Sequence, residues 1–377
     1  MSSNQAFALY VHIPWCIQKC PYCDFNSHRL TAAVDWQQYL QCLLGDWQQE
    51  LKFFSERLLT SIFIGGGTPS LMPAEFYDKL LTQIKNTTHY SSGMEVTLEA
   101  NPGTVDSANF AGFFQAGVNR LSIGVQSFNN RQLNLLGRIH DQQQVDLTFK
   151  KARLAGFDNI NLDLMFALPE QNLQQAEVDL KKAIELGPEH ISWYQLTLEP
   201  NTEFYRKPPA QMPDDDASWE IQQSGMQILS QAGVQHYEIS AYAKATRQCA
   251  HNLNYWRFGD YAAIGAGAHA KTTLPDGRIM RRTKFRSPSQ YQQGRFTSSE
   301  KRLDQEDIFI EFLMNRLRLR EPFELASLLS LTGLSMEQVN KRFQKLIYRG
   351  LLELDGPVCQ VTEKGHRYLN ELLTELI

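Results

Sequence analysis

From residue 7 to about residue 197 the sequence alternates short apolar runs with longer amphipathic stretches, and this alternation leaves few folds open. The apolar runs at 7–13, 61–64, 94–98, 120–125, 159–164 and 190–196 have the length and content of buried strands. Between them, 34–54, 74–84, 108–116, 142–154 and 174–186 place apolar residues at helical spacing. Strands joined through helices pair in parallel with right-handed crossovers. Six such units predict an α/β fold, either a doubly wound sheet or a partial (β/α)6 barrel.

The rest of the chain reads differently. Residues 198–219 are rich in Pro and Asp and suggest a connection; a helix near 221–231 and a strand-like 235–240 follow. Residues 245–285, rich in Gly and Ala with aromatics between, suggest ordered loops with short strands. Helical patterns then cover 307–318 and 324–331. Ser335-Met-Glu-Gln338 fits a capping box opening a third helix to about 349. Strand patterns at 351–354 and 358–361 and a last helix complete a winged-helix-like unit. The expected division is a barrel core over 1–200, an extension over 201–300 and a C-terminal helical domain over 301–377.

A winged helix commonly binds DNA through a basic face. Residues 301–377 hold 11 Lys+Arg against 12 Asp+Glu, and Lys341, Arg342, Lys345 and Arg349 form the one basic cluster. A solvated helix face explains that cluster better than a phosphate site does, so a nucleic-acid-binding regulator is the weakest functional reading. The net charge of −4 adds no general attraction to polyanions. No apolar run approaches the roughly 20 residues that span a bilayer. The opening MSSNQAFALYVHI lacks a basic start and a long apolar stretch, so a cytoplasmic location without a secretory leader is expected.

Of six cysteines, Cys42, Cys249 and Cys359 are scattered, whereas Cys16, Cys20 and Cys23 fall within eight residues. Thiolates at such density call for zinc or an iron–sulfur cluster. His12 or His28 could complete a zinc site, so spacing must arbitrate. Cys-x3-Cys-x2-Cys in a loop directly after the first strand resembles the radical S-adenosylmethionine superfamily. The resemblance implies a four-iron–four-sulfur cluster on Cys16, Cys20 and Cys23, with S-adenosylmethionine at the iron left open.

Gly65-Gly66-Gly67-Thr68-Pro69 follows the second strand, where a backbone without Cβ atoms can approach a ligand closely. Polar residues also mark successive strand ends: Glu99 at the third, Gln126 at the fourth with Arg138 beyond, and Asp163 in the fifth. In parallel barrels ligands bind at the C-terminal strand ends, so these residues are expected around one mouth. Their chemistry suits the nucleotide: Arg138 for its carboxylate, Glu99 for its ammonium, Gln126 and Asp163 for ribose hydroxyls. The resemblance adds Tyr10, Phe25, Asn26, Gly66, Gly67 and Thr68 to the nucleotide site.

Tyr10-Val-His-Ile-Pro, Gly-Gly-Gly-Thr-Pro-Ser70 and Glu99-Ala-Asn-Pro-Gly103 are similar to the group containing oxygen-independent coproporphyrinogen III oxidase. That enzyme has a fourth cysteine where this chain has Phe25, and a longer N-terminal arm, so porphyrinogen decarboxylation is disfavoured. The chain resembles instead the HemW-type haem chaperones of the group. His251-Asn-Leu-Asn-Tyr-Trp256 matches their H-N-x-x-Y-W signature. The resemblance implies haem ligated by His251, with Cys249 as the alternative, and packed on Tyr255 and Trp256. It further implies transfer of haem to acceptors such as respiratory enzymes. The cluster and nucleotide would be structural or regulatory, or would generate a radical with an electron from a flavodoxin- or ferredoxin-like donor. No catalytic residue is singled out.

Overall fold

The computed structural model describes residues 6–31, 33–103 and 107–376; the first five of the thirteen residues behind the leader expectation lie outside those described. The six strands form in the expected order: β1 (Ala6–Ile13), β2 (Leu58–Gly66), β3 (His89–Ala100), β4 (Arg120–Gln126), β5 (Ile160–Phe166) and β6 (His190–Gln195). Each pairs in parallel with the next. The crossovers are α1 (Trp36–Phe54), α2 (Ala74–Thr87), α3 (Ser107–Gln115), α4 (Gln142–Leu154) and α5 (Leu173–Leu186). β4 is buried along its whole length, as an interior parallel strand covered on both faces must be.

The segment after β6 enlarges the same sheet at both edges. Helix α6 (Asp215–Gln231) starts six residues earlier than its apolar pattern suggests. The Asp run supplies the reason: Asp214 Oδ1 accepts from the Ala217 N–H at 2.8 Å, and Asp215 and Asp216 put negative charge on the first turn. β7 (Gln235–Glu238) and β8 (Ala241–Ala243) add antiparallel strands beside β6. The H-N-x-x-Y-W segment, expected in loops, is helix α7 (Ala250–Trp256). It leads into β9 (Asp260–Ile264), which runs parallel to β1 on its free side. β10 (His269–Thr273), β11 (Ile279–Lys284) and β12 (Thr297–Arg302) continue antiparallel, making a sheet of twelve strands.

The C-terminal helical domain has its own core, with Phe309, Phe312, Leu313, Val339, Phe343 and Leu346 buried between α8 (Gln305–Arg316), α9 (Leu325–Thr332) and α10 (Met336–Tyr348). The capping box forms: Ser335 Oγ accepts from the Gln338 N–H, and Gln338 Oε1 from the Ser335 N–H. In the basic cluster, Arg342 pairs with Glu306, and Lys345 and Arg349 with Glu375. Among the described residues no helix is long and apolar enough to cross a membrane.

Candidate functional site

The three clustered cysteines sit in the loop leaving β1, and that loop is stitched to the glycine run at the end of β2. The Gly67 N–H donates to Ile13 O and the Thr68 N–H to Trp15 O, both at 2.7 Å. A Cβ on Gly67 would lie 2.5 Å from the Trp15 carbonyl oxygen; at Gly66, where φ is +117°, it would lie 2.5 Å from the His12 ring. Only glycine permits this approach. The run therefore serves two purposes: it lets β2 crowd the cysteine loop, and it opens backbone polar groups to the space above.

That space is one cavity. Cys16, Cys20, Cys23, Phe25, Gly66, Gly67, Thr68, Glu99, Gln126, Arg138 and Asp163 all line it. Residues far apart in the chain thus converge because parallel strands end at one rim. Among the described residues no three Cys, His, Asp or Glu side chains draw together around a single metal ion. Three thiols on one cavity supply the donors that an iron–sulfur cluster takes from a chain. His12 is unsuited to complete a zinc site, since its ring nitrogens already meet Tyr10 Oη and Asn26 O, each at 2.9 Å. The cavity thus fits the cluster that the resemblance implies, with Cys16, Cys20 and Cys23 as its thiolate donors.

The polar wall is ordered by its own hydrogen bonds. Arg138 donates through Nη2 to Asn101 Oδ1 at 2.8 Å and to Gly124 O at 2.7 Å, and through Nη1 to Cys20 Sγ at 3.7 Å. Asp163 accepts from Ser122 Oγ at 2.9 Å and Asn161 Nδ2 at 2.8 Å. Tyr194 donates to Gln126 Oε1 at 3.0 Å. Gln126 has φ +68°, beside a register shift in the β4–β5 pairing, so β4 ends in a strained residue aimed by a bulge. Glu99 accepts the Gly66 N–H at 3.0 Å. Burial, with Asp163 adding like charge, pushes the Glu99 carboxyl up to about 8. Burial likewise raises the Cys16 and Cys23 thiols, which iron would have to hold as thiolates.

A second cleft, with a volume of about 640 Å³, adjoins the first and shares Phe25, Gly66 and Glu99 with it. His251 and Tyr255 line this cleft, with Tyr10, His12, Asn26, Tyr261, His269 and Arg286. Tyr10 and Asn26 therefore belong to this cleft and not to the thiol cavity. Asn26 spends its amide hydrogens on Ala266 O at 3.0 Å and Arg286 O at 2.8 Å. The His251 ring packs 5.3 Å from Phe63, with Nδ1 3.5 Å from Ser61 Oγ. Burial, then the Arg120 charge, lowers its pKa to about 3, which keeps the imidazole neutral and fit to ligate a metal.

Two residues expected at the haem stand apart from the cleft. Cys249 is fully buried and donates to Glu95 Oε1 at 3.5 Å; Glu95 also accepts the Ala250 and His251 N–H groups, each at 3.2 Å. The cysteine thus anchors the start of α7 rather than opening to a ligand. Trp256 is not among the lining residues: Arg318 lies 4.4 Å above its ring, and Tyr255 meets it edge-on. On a helix, Tyr255 and Trp256 are about 100° apart, and here only Tyr255 lines the cleft.

Sequence reading missed Asn101, Ser122 and Tyr194 in the first cavity and Tyr261, His269 and Arg286 in the second. Tyr194 was within reach, because it lies one residue before the C-terminal end of β6, on the rim where parallel strands end. Tyr261, His269 and Arg286 carry no such signal. They become neighbours of β1 only because β9 adds beside it.

Residues 10–183 match the family model of the radical SAM superfamily, and residues 303–368 that of the HemN C-terminal domain. The chain is 49% identical to heme chaperone HemW of Escherichia coli (strain K12), over 97% of each chain. It is 49% identical to heme chaperone HemW of Haemophilus influenzae, over 97% of this chain and 96% of the other. A mouse mitochondrial protein, radical S-adenosyl methionine domain-containing protein 1, is 32% identical over 100% of this chain and 88% of its own. Among solved structures, coproporphyrinogen III oxidase (HemN) from Escherichia coli superposes with a TM-score of 0.84 at 22% identity. That match covers 100% of this chain and 91% of the other, and shows a shared fold.

Proposed function

The chain belongs to the radical SAM superfamily and, within it, to the heme chaperone HemW family, and from that premise we propose that it holds haem in the second cleft and hands it to acceptor haem proteins. One observation carries this reading: the cleft that presents the neutral His251 shares Phe25, Gly66 and Glu99 with the thiol cavity. A ligand held there touches the wall of the cofactor pocket. Loading of one site can therefore be felt at the other.

Cys16, Cys20 and Cys23 would hold the four-iron–four-sulfur cluster, and Gly66, Gly67, Thr68, Glu99, Gln126, Arg138 and Asp163 the nucleotide. When bound, the pair supplies one-electron reductive chemistry. Arg138, fixed by Asn101 and Gly124, offers a half-buried cation to the methionine carboxylate. Glu99 accepts from the methionine amino group. Asp163 and Gln126 accept from the ribose hydroxyls, each oriented beforehand by Ser122, Asn161 or Tyr194. Phe25, 56% exposed, lines both sites and supplies an apolar face to each.

His251 is the proposed iron ligand and Tyr255 the ring-packing side chain; Cys249 and Trp256 drop out because neither lines the cleft. Three reduced thiols as cluster ligands fit a reducing compartment, so we place the protein in the cytoplasm. A flavodoxin- or ferredoxin-like donor and respiratory acceptors complete the proposal. Anaerobic cluster reconstitution followed by haem titration, with and without cluster, tests it. Wild type should bind haem and His251→Ala should bind it at least roughly tenfold more weakly, the scale of one lost strong ligand interaction. The same sample should not convert coproporphyrinogen III. Turnover with an intact cluster would favour an oxidase instead, and equal haem binding by both proteins would remove His251.

A further inference from the structure

The second cleft carries two charged side chains, Arg286 and Asp24, for which the described residues show no hydrogen bond or ion pair. Arg286, exposed at the junction between β11 and the segment before β12, lines the cleft, and among the described residues no hydrogen bond or ion pair holds its guanidinium. Its neighbours in sequence differ: Arg281 is paired with Glu311, and Arg282 with Glu50. The backbone beneath Arg286 is nonetheless fixed. Its carbonyl accepts from Asn26 Nδ2 at 2.8 Å, and the preceding carbonyl, of Phe285, accepts the Gly267 N–H at 2.9 Å. A free cation on an anchored segment is built to meet something outside the chain.

The surroundings indicate what that is. Tyr10, Tyr255 and Tyr261 give the cleft aromatic walls, with the Tyr255 and Tyr261 rings 5.3 Å apart. His251 offers a neutral imidazole. His269 lies beside Arg286 on the same cleft, with Nδ1 3.3 Å from Thr283 Oγ1. In the tautomer where Thr283 donates to that nitrogen, Nε2 carries the proton and can serve as a second donor. Asp24 also lines the cleft and bears the wrong charge for an acidic ligand, so any attraction for one must come from Arg286.

We propose that Arg286, assisted by His269, selects haem by one propionate. The macrocycle lies against the tyrosines and the carboxylate stays at the rim, where its charge is not stripped of water. A guanidinium fork matches a carboxylate in two parallel hydrogen bonds, which a lysine cannot reproduce. The proposal rests on the haem-holding reading of this cleft. It adds that recognition is of an acidic tetrapyrrole, with the acid group read on the wall that β10 and β11 provide. Asn26, next to Phe25 at the cluster loop's end, holds that wall in place through the Arg286 carbonyl.

The test compares haem with its dimethyl ester, in which both propionates are neutral, on the anaerobically reconstituted protein by Soret titration. Wild type should prefer haem over the ester by roughly tenfold or more, the scale of one charge-assisted hydrogen-bonded pair. Arg286→Ala should lose that preference while binding the ester as wild type does, and Arg286→Lys should keep part of it. Arg286 is exposed, so the cluster absorbance and nucleotide binding of the variants should be unchanged; that control separates lost recognition from lost folding. A preference retained in Arg286→Ala, or absent from wild type, overturns the proposal. If wild type binds neither compound, the haem-holding reading itself fails. If both bind, and His251→Ala weakens both while Arg286→Ala changes neither, that reading stands and only the arginine is removed.

Discussion

In the proposed nucleotide site, Glu99 should make binding depend on pH in a way that can be worked out in advance. Its carboxyl is pushed up to about 8, first by burial, then by the nearby Asp163, with the Gly66 N–H pulling the other way. An acid with a raised pKa is protonated and neutral at pH 7. To accept from the amino group of the nucleotide it must give up that proton. Binding therefore weakens as pH falls below about 8 and levels off above it. For one coupled proton the apparent dissociation constant scales as one plus the protonated-to-ionised ratio. Going from pH 8.5 to pH 6.5 then weakens binding roughly 25-fold, about 1.9 kcal/mol at 1.36 kcal/mol per tenfold.

The variant Glu99→Gln keeps the shape and loses the titration. The nucleotide's own amino group titrates in this range too, but equally for both proteins. The quantity to measure is therefore the ratio of the two affinities, by anaerobic equilibrium dialysis on cluster-loaded protein at several pH values. The advantage of wild type over Glu99→Gln should shrink roughly 25-fold between pH 8.5 and pH 6.5. A ratio that stays constant would refute the reasoning, because Glu99 would then be ionised throughout or would not touch the nucleotide.

Three further outcomes follow from the packing. Gly67→Ala puts a methyl 2.5 Å from the Trp15 backbone oxygen, which cannot move without dragging the cysteine loop. It should cost about 1–3 kcal/mol and lower the iron content of the reconstituted protein, read by melting and metal analysis. Gly225→Ala should destabilise despite the better helix propensity, since its Cβ would stand 1.9 Å from the Trp193 ring. A gain of about 1 kcal/mol from propensity is outweighed by overpacking of about 1–3 kcal/mol, so a raised melting temperature would contradict the packing. Acid should unfold the protein early. Burial lowers His140 and His236 to about 4 and His251 to about 3, so the unfolded chain takes up protons first as pH falls below about 6.5. Each should withdraw about 1 kcal/mol of stability by pH 5.5, seen as a falling urea midpoint; an unchanged midpoint would mean these imidazoles are charged in the fold.

The relatives and the fold sharpen what each part of the chain is for. The Cys16–Cys23 loop, the Gly65–Gly67 run and the strand-end polar residues were readable because each lies within a short stretch whose pattern already says strand, turn or loop. Parallel pairing then brings Glu99, Gln126 and Asp163 together whatever the details, since adjacent parallel strands end on the same side. The H-N-x-x-Y-W segment was less legible. His251 and Trp256 are close in sequence, but helix α7 sends Trp256 to Arg318 and turns Cys249 inward to Glu95. Seven residues of helix are too short to announce a period.

The sequence alone determined the six βα units, the three-thiol loop and the polar residues near the strand ends, because local periodicity and strand direction are properties of contiguous residues. The tertiary structure alone decided that residues 250–286 return to the first strand. β9 pairs with β1 through Phe7 to Val11, an alignment of residues more than 250 positions apart. That pairing sets Tyr261, His269 and Arg286 beside Tyr10 and Phe25 and so creates the second cleft. No pattern within either segment encodes the meeting, since it depends on an exposed strand edge being satisfied by whichever distant strand completes its hydrogen bonds.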